Sequence, residues 1–516
     1  MVKMLDLRIP YQKINDNDFI YRIVLKELKV NSVKAINWVK KSLDARSKNI
    51  VYNLRVEVYI DKDFQPQTEF YNPQNVSTSK EVIIIGAGPA GLFAALNCIE
   101  KGLKPIIFER GKNVRARRRD LADIHKKMRV NQESNYCFGE GGAGTFSDGK
   151  LYTRSKKRGS VNKVLQWLVH FGADTNILIE AHPHIGTNKL PKIIQNIRAS
   201  IIENGGEVHF NSKLTDFIVE NKVLKSIEIN QNQIIKTDRL ILATGHSARD
   251  IYELLHQRKI KIEAKPFALG VRIEHQQKII DQIQYHGKLN DENLPPASYS
   301  LVTQVNDTGV FSFCMCPGGI IAPCATQQNE VVTNGWSPSK RNNKFANSGI
   351  VVQIIPEKLP NYSPNNPFVC LEFQKEIEHK CWVAAGKTQR VPAQRLMDFI
   401  NDKTSTNLPK SSYQPGIVSV NLNKVLPKFV TEKLRQGFLD FGKKMKGFLT
   451  NEAVIHAPES RTSSPIRIPR HKSSFEHIEI KGLYPLAEGA GYAGGIVSAA
   501  VDGIRIIDSF VKETNF

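Results

Sequence analysis

Apolar and polar residues alternate from Leu5 through Leu7 to Ile9, where Pro10 ends the pattern, and again at Ile50, Tyr52, Leu54, Val56, Val58 and Ile60. A two-residue period turns one face of each segment towards a core, so both are predicted strands. Between them, residues 19–28 and 33–43 carry helical spacing and predict two helices. Residues 1–79 therefore read as a small α/β domain, expected to be ferredoxin-like, whose tail from Lys62 to Lys80 is a polar linker with Pro66, Asn72, Pro73, Asn75, Ser77 and Ser79. The pattern changes at Glu81. Val82-Ile83-Ile84-Ile85 is wholly apolar, as a parallel strand buried on both faces requires. A helix over 92–101, Gly102 as its cap and a second strand over 105–108 complete a βαβ unit that ends at Glu109. Further on, helices are predicted over 162–171 and 190–203 and from 496. Strands are predicted over 208–219, 237–245, 267–274, 301–304, 309–316 and 349–355 and from 483.

Composition narrows the class. The chain has 516 residues, 41% hydrophobic and 24% charged, which excludes a disordered or collagen-like protein and implies several domains. Seven cysteines spread over this length do not form a disulfide framework and point to a reducing compartment. Residues 82–99 are free of charge, yet Gly86, Gly88, Pro89 and Gly91 interrupt them, so a strand and a helix are expected rather than a membrane span. A cytoplasmic location is expected. The net charge of +22 fits acidic small molecules, nucleic acid or a basic proteome. Its densest block holds Arg110, Lys112, Arg115, Arg117, Arg118 and Arg119, either a solvated helix start or a polyanion contact.

The candidate chemistry begins at Gly86-Ala87-Gly88-Pro89-Ala90-Gly91. Lying between a predicted strand and helix, this G-x-G-x-x-G has the context that binding a dinucleotide demands. Gly86 makes the turn, Gly88 lets backbone approach a pyrophosphate, and Gly91 lets the helix pack close. Glu109, with Arg110 beside it, is placed to accept from a ribose diol and would repel a 2′-phosphate. Two more glycine segments follow. Leu240-Ile241-Leu242-Ala243-Thr244-Gly245 is a strand ending at a turn, and Glu488-Gly489-Ala490-Gly491-Tyr492-Ala493-Gly494-Gly495-Ile496 is a glycine-rich entry to the last helix.

This trio resembles the glutathione-reductase-like two-dinucleotide flavoproteins. The resemblance implies FAD, held also by Thr244, Gly245, Glu488, Gly489, Gly494, Gly495 and Ile496, with the last helix aimed at the flavin's pyrimidine edge. No second G-x-G-x-x-G lies between Gly91 and Gly489, which disfavours the pyridine-nucleotide-linked disulfide reductases. The string FGEGGAGTFSDGKL at 138–151 resembles bacterial FAD-dependent dehydrogenases of the NAD(P)/FAD-dependent oxidoreductase family. So do PHIGT at 183–187, ATGHSARD at 243–250, CMCPGG at 314–319 and EGAGYAGGI at 488–496. That resemblance supplies cofactor and fold, and no reaction.

The glycine loop is expected to pass close to the flavin through Gly142, Gly144 and Thr145. Catalytic residues are not identified; Lys150, His184, Cys314 and Cys316 are candidates. Cys314 and Cys316 read as buried packing thiols, as pocket lining or as a redox pair. His182 and His246 could lie near a ligand, Arg461 and Arg467 could hold an anion near the last glycine motif, and no metal site is expected.

The expected architecture is a Rossmann-like FAD-binding domain over 80–270 and 455–516. An inserted mixed-sheet substrate domain over 271–454 and the small amino-terminal domain complete it. The leading function is FAD-dependent hydride transfer between flavin N5 and a small substrate, an anion being one class, with NAD(P)H as a candidate partner. The alternatives are a nucleic-acid-acting flavoprotein of the tRNA-modifying type and a non-catalytic FAD-containing interaction protein.

Overall fold

The computed structural model describes residues 1–65, 71–153, 159–288 and 291–512. β1 (Val2–Pro10), α1 (Asn17–Leu28), β2 (Ala35–Asp44) and β3 (Val51–Tyr59) form an antiparallel sheet of order β1-β3-β2 carrying one helix. Tyr52, Leu54, Val56 and Val58 of β3 are buried in a core shared with Ile20 and Val24 of α1. Asp16 caps α1 by accepting from Phe19 N–H at 2.9 Å.

The second helix expected over 33–43 is instead strand β2. Its backbone pairs with β3 on one side, and Lys41 bonds Ile179 and Ala181 on the other. Pairing along both edges overrides the helical spacing of the side chains. With three strands and one helix among the described residues, the unit lacks the second helix and fourth strand of a ferredoxin-like domain. Of the expected linker, residues 66–70 lie outside the described residues. Tyr71 and Val76 are buried, the Tyr71 ring lying 5.1 Å from that of Trp167.

β4 (Glu81–Ile85), α2 (Pro89–Glu100) and β5 (Lys104–Glu109) form the expected βαβ unit. α3 (Val114–Lys127), α4 (Val161–His170) and α5 (Leu190–Glu203) lead to β6 (Glu207–Phe210). An antiparallel meander follows, β7 (Leu214–Glu220), β8 (Val223–Ile229) and β9 (Gln233–Lys236), and then β10 (Leu240–Leu242), α6 (Arg249–Gln257) and β11 (Glu263–Ala264).

The chain next builds a larger mixed sheet. β12 (Phe267–Gln276), α7 (Gln277–Gln284), β13 (Val302–Val305), β14 (Thr308–Pro323), β15 (Thr333–Trp336) and β16 (Phe345–Ile354) are followed by α8 (Val369–Ala384) and β17 (Val391–Arg395). α9 (Leu396–Ile400), β18 (Ile417–Ser419), α10 (Lys428–Lys444) and β19 (Val454–Glu459) complete it. Its order is β13-β14-β16-β12-β19-β17-β18, with β15 beside β14 and only β17 and β18 parallel. β12 and β19 are neighbours in this sheet, so the divisions expected at 270/271 and 454/455 cut through two of its strands. β20 (Ile466–Arg467) pairs with β11, and β21 (Leu483–Pro485) and α11 (Ile496–Lys512) close the chain.

The parallel sheet has order β21-β10-β4-β5-β6. Val82 and Ile84 join the core of α2, α4, α5 and α11, whereas Ile83 and Ile85 join that of the meander and α6. Burial on both faces explains the unbroken apolar run. Among the described residues, no helix is long and apolar enough to cross a membrane.

Candidate functional site: a bare-backbone groove and a thiol–lysine corner

The turn after β4 leads into α2 through glycines that serve different ends. A Cβ on Gly91 would lie 2.0 Å from Gly86 O, and one on Gly86 would lie 2.5 Å from Ala243 O, so packing alone demands both. Gly88 is different. Its φ is −75°, and the nearest atom to an added Cβ is Gly142 Cα at 3.9 Å. Gly494 likewise has open space where a Cβ would stand. Packing does not require glycine at either position, which leaves room for a group to lie against the backbone.

That bare backbone lies in one groove. Gly142 approaches Gly88, Gly144 packs on Ile496 and Pro89, and Gly245 abuts Gly489. Gly88, Pro89, Gly142, Gly144, Thr244, Gly245, Glu488, Gly494, Gly495 and Ile496 all keep partial or full exposure, while Ala87, Ala90, Gly91 and Gly489 support them from within. The N-termini of α2 and α11 both open here, and free N–H groups with positive helix ends suit a pyrophosphate and an electron-rich ring edge. These residues fit FAD, whose flavin supplies hydride-acceptor and hydride-donor chemistry when bound.

The acids and bases around the groove are more committed than their sequence suggested. Glu109 is buried, and its carboxylate accepts from Ala87 N–H at 2.8 Å and from Gly111 and Gly139 N–H at 2.9 Å each. A carboxylate has about four acceptor sites, so Glu109 first fastens the turn and keeps little capacity for a ribose. Arg110, expected among the cofactor-binding residues, pairs with Glu133 and Asp250 and lies over the Phe138 ring. Thr145 is buried, donating its hydroxyl to Glu140 O and its N–H to Gly142 O, so it braces the loop from within.

Glu488 stands at the groove's edge with its side chain 29% exposed and 3.7 Å from His246. Burial pushes its carboxyl up to about 7, opposed by the Gly495 N–H. Burial, helped by the charges of Arg461, Arg249 and Lys265, holds His246 down to about 4, so that imidazole is neutral at pH 7.

The arginine-rich stretch divides. Arg117 is fully buried and donates to Asn135 O, Glu140 O and Tyr136 O, bracing the glycine loop from below. Arg115, Arg118 and Arg119 are exposed. Arg461, expected to hold an anion near the last glycine motif, donates to Ser247, the neighbour of His246, and spends its guanidinium on acids. It is buried with Arg249, Glu330 and Glu378 in a four-charge cluster.

The structure brings the four candidate catalytic residues into one corner. The glycine loop runs on to Lys150, which pairs with His184 through a β-bridge. The Lys150 ammonium lies 3.7 Å from both Cys314 Sγ and Cys316 Sγ and donates to Met315 O. His184 donates its Nε2–H to Ser339 O at 3.1 Å, and burial lowers its pKa. Asp148 is buried and pairs with Arg341 at 2.9 Å. Arg272, buried in β12, holds Glu459 of β19 through two bonds and donates to Cys314 O at 3.4 Å. Sequence reasoning missed Arg272, Arg341 and Glu459, because more than a hundred residues separate them from Lys150 and no local spacing marks them.

An FAD binding domain model matches residues 81–118, a model described as FAD-dependent protein, C-terminal domain-like, matches 266–462, and a domain of unknown function matches 1–59. FAD is the cofactor. An uncharacterized protein of Clostridium beijerinckii is 38% identical over 97% of this chain and 97% of its own length. The thiamine thiazole synthase of Aeropyrum pernix is 24% identical over 35% of this chain and 59% of its own. Solved structures with distant similarity include the tetracycline destructase Tet(51) (10% identity, 85% of this chain, 83% of that one, TM-score 0.34) and L-proline dehydrogenase from P. horikoshii (12% identity, 86% and 94%, TM-score 0.31). The chain therefore belongs to one family with the clostridial protein, a family of FAD-dependent proteins.

Proposed function

We infer that the protein is an FAD-dependent oxidoreductase that moves a hydride between flavin N5 and a small substrate held by the inserted domain. One observation carries this reading: the loop that covers the cofactor turn at Gly142 continues within eight residues to Lys150, which stands against β14 of the larger sheet. Cofactor groove and inserted domain thus meet along a single segment of chain. The chain's own work is to hold and orient. α2 and α11 bind the cofactor's anionic parts, and Glu109 and Arg117 fix the loops around it. Neutral His246 lies 3.7 Å from Glu488 at the groove's edge, and the raised carboxyl, not the imidazole, carries the proton of the pair below about pH 7.

The test is an anaerobic absorbance titration of the yellow protein with NADH and with NADPH. Bleaching by either makes the pyridine nucleotide the donor and the unidentified small molecule the acceptor. No bleaching, with dithionite still reducing the flavin, makes the small molecule itself the donor. A flavin that neither pyridine nucleotide nor any candidate metabolite reduces or reoxidises would overturn the oxidoreductase reading.

A further inference from the structure

Two adjacent residues in β14 depart from strand geometry, and they do so at a thiol. Between Phe313 and Cys316 the strand advances by three residues while β16 advances by two, from Gly349 to Asn347. The extra residue makes a bulge, a device that re-aims a side chain. At its centre Cys314 has a φ of 46°, in the left-handed region where a side chain is strained and glycine is the usual occupant. A packing thiol needs no such conformation. Cys314 is also partly exposed, unlike Cys316, Cys324, Cys370, Cys381 and Cys98, which are buried.

The charges facing this thiol come from four separate segments. Asp148 and Lys150 belong to the glycine loop, Arg341 to the segment before β16, Arg272 to β12 and Glu459 to β19; neutral His184 completes the surroundings. Asp148 pairs with Arg341 at 2.9 Å and Glu459 with Arg272 at 2.7 Å. Lys150 shares the Asp148 carboxylate with Arg341, at 3.7 Å, the same distance as each of the two sulfurs. Three cations against two carboxylates leave one positive charge, which a single thiolate balances. The directions agree. Cys316 and then Lys150 and Arg272 draw the Cys314 thiol well below its ordinary range against the effect of burial, while Cys316 is pushed up by its neighbour Cys314.

We propose that Cys314, part-exposed at the bulge and paired with Lys150, is a thiolate nucleophile that attacks a sulfur of a low-molecular-weight disulfide. In the step a lone pair on the Cys314 sulfur forms a new S–S bond, the disulfide's own S–S bond breaks, and its other half leaves as a thiolate beside the Lys150 ammonium. The Cys314 sulfur is oxidised to the disulfide level and the departing sulfur is reduced, so no further oxidant, reductant or proton is needed. The proposal stands apart from the hydride reading, because it concerns the thiol's reactivity whatever the flavin does.

The probe is 4,4′-dithiodipyridine on the FAD-loaded full chain, followed by thiopyridone release against pH, with the adduct mapped by mass spectrometry. The expected result is one fast equivalent per chain, located at Cys314. Its rate midpoint should lie below the ordinary thiol value of about 8.5, and at pH 7 it should react about tenfold faster than the thiols of the guanidinium-unfolded chain. Lys150→Met should slow the reaction at pH 7 by about tenfold and return the midpoint towards about 8.5, with Lys150→Arg retaining most of the effect. Fast labelling at Cys137, the other part-exposed cysteine, overturns the proposal. So does a wild-type midpoint at or above the unfolded-chain value, a reading that needs no variant to fold. Flavin content and reducibility by dithionite, followed in parallel, separate this failure from failure of the oxidoreductase reading.

Discussion

Glu109 and Ala87 are joined by a 2.8 Å hydrogen bond from backbone N–H to carboxylate, which ties the end of β5 to the turn after β4. The same carboxylate holds the N–H groups of Gly111 and Gly139, so three loops converge on one buried charge. Glu109→Ala leaves three buried donors without acceptors and should destabilise the protein by about 3–5 kcal/mol. Glu109→Gln keeps one acceptor and should lose less. Urea unfolding followed by circular dichroism measures both; equal stability of Glu109→Ala and wild type would refute this role.

Gly88 and Gly91, three residues apart, should fail differently. A Cβ at Gly91 meets Gly86 O at 2.0 Å, so Gly91→Ala should reduce the yield of folded protein. Side-chain space at Gly88 is open, so Gly88→Asp should fold but lose FAD affinity by about 100-fold or more, since a carboxylate then stands where the pyrophosphate would lie. Flavin absorbance per folded chain after gel filtration is the measurement. Full FAD in Gly88→Asp would remove the pyrophosphate from this turn.

Arg117 differs from its neighbours because its guanidinium is enclosed by three carbonyls and burial lowers its pKa to about 10. Arg117→Ala should cost about 3–5 kcal/mol and loosen FAD binding, by stripping the glycine loop of its support. Arg115→Ala, Arg118→Ala and Arg119→Ala should each stay within about 0.5 kcal/mol, as exposed substitutions do. Thermal unfolding of the four variants should show one outlier.

Glu274, buried in β12, accepts from Ser412 N–H at 2.9 Å, yet burial pushes its carboxyl from 4.5 up to about 7. The folded state therefore binds this proton more tightly than the unfolded chain, and its contribution to stability falls as pH rises from about 4.5 through 7. Glu274→Gln removes the titration. Relative to that variant, wild type should lose about 2–3 kcal/mol of stability between pH 5 and 8, at about 1.36 kcal/mol per pKa unit. Urea midpoints of the two proteins across that range supply the comparison, and parallel curves would contradict it.

How legible each part was follows from how local its cause is. The Val82–Ile85 run, the glycine turn and the helix after it were readable because parallel strands need unbroken apolar residues and dinucleotide turns need bare backbone, both properties of adjacent residues. The segment 33–43 was misread because side-chain spacing is silent about backbone partners, and it is the pairing of β2 with β3 and with residues 179–181 that makes it a strand. The partners of Arg110 and Arg461 were illegible for a related reason: a charge in sequence carries no mark of the acid it will meet, and both found theirs across the fold.

By itself the sequence determined the dinucleotide-binding unit and its glycines, because these rest on a turn and a helix start written within thirty residues, while FAD followed from the resemblance carried by three glycine segments spread from Gly86 to Ile496. Tertiary structure alone decided that Glu109 serves backbone donors, that Arg117 is interior, and that Lys150, His184, Cys314 and Cys316 share one corner. The physical reason is that burial and charge pairing are properties of space, set only when the inserted sheet folds back against the glycine loop and fixes which groups lose water together.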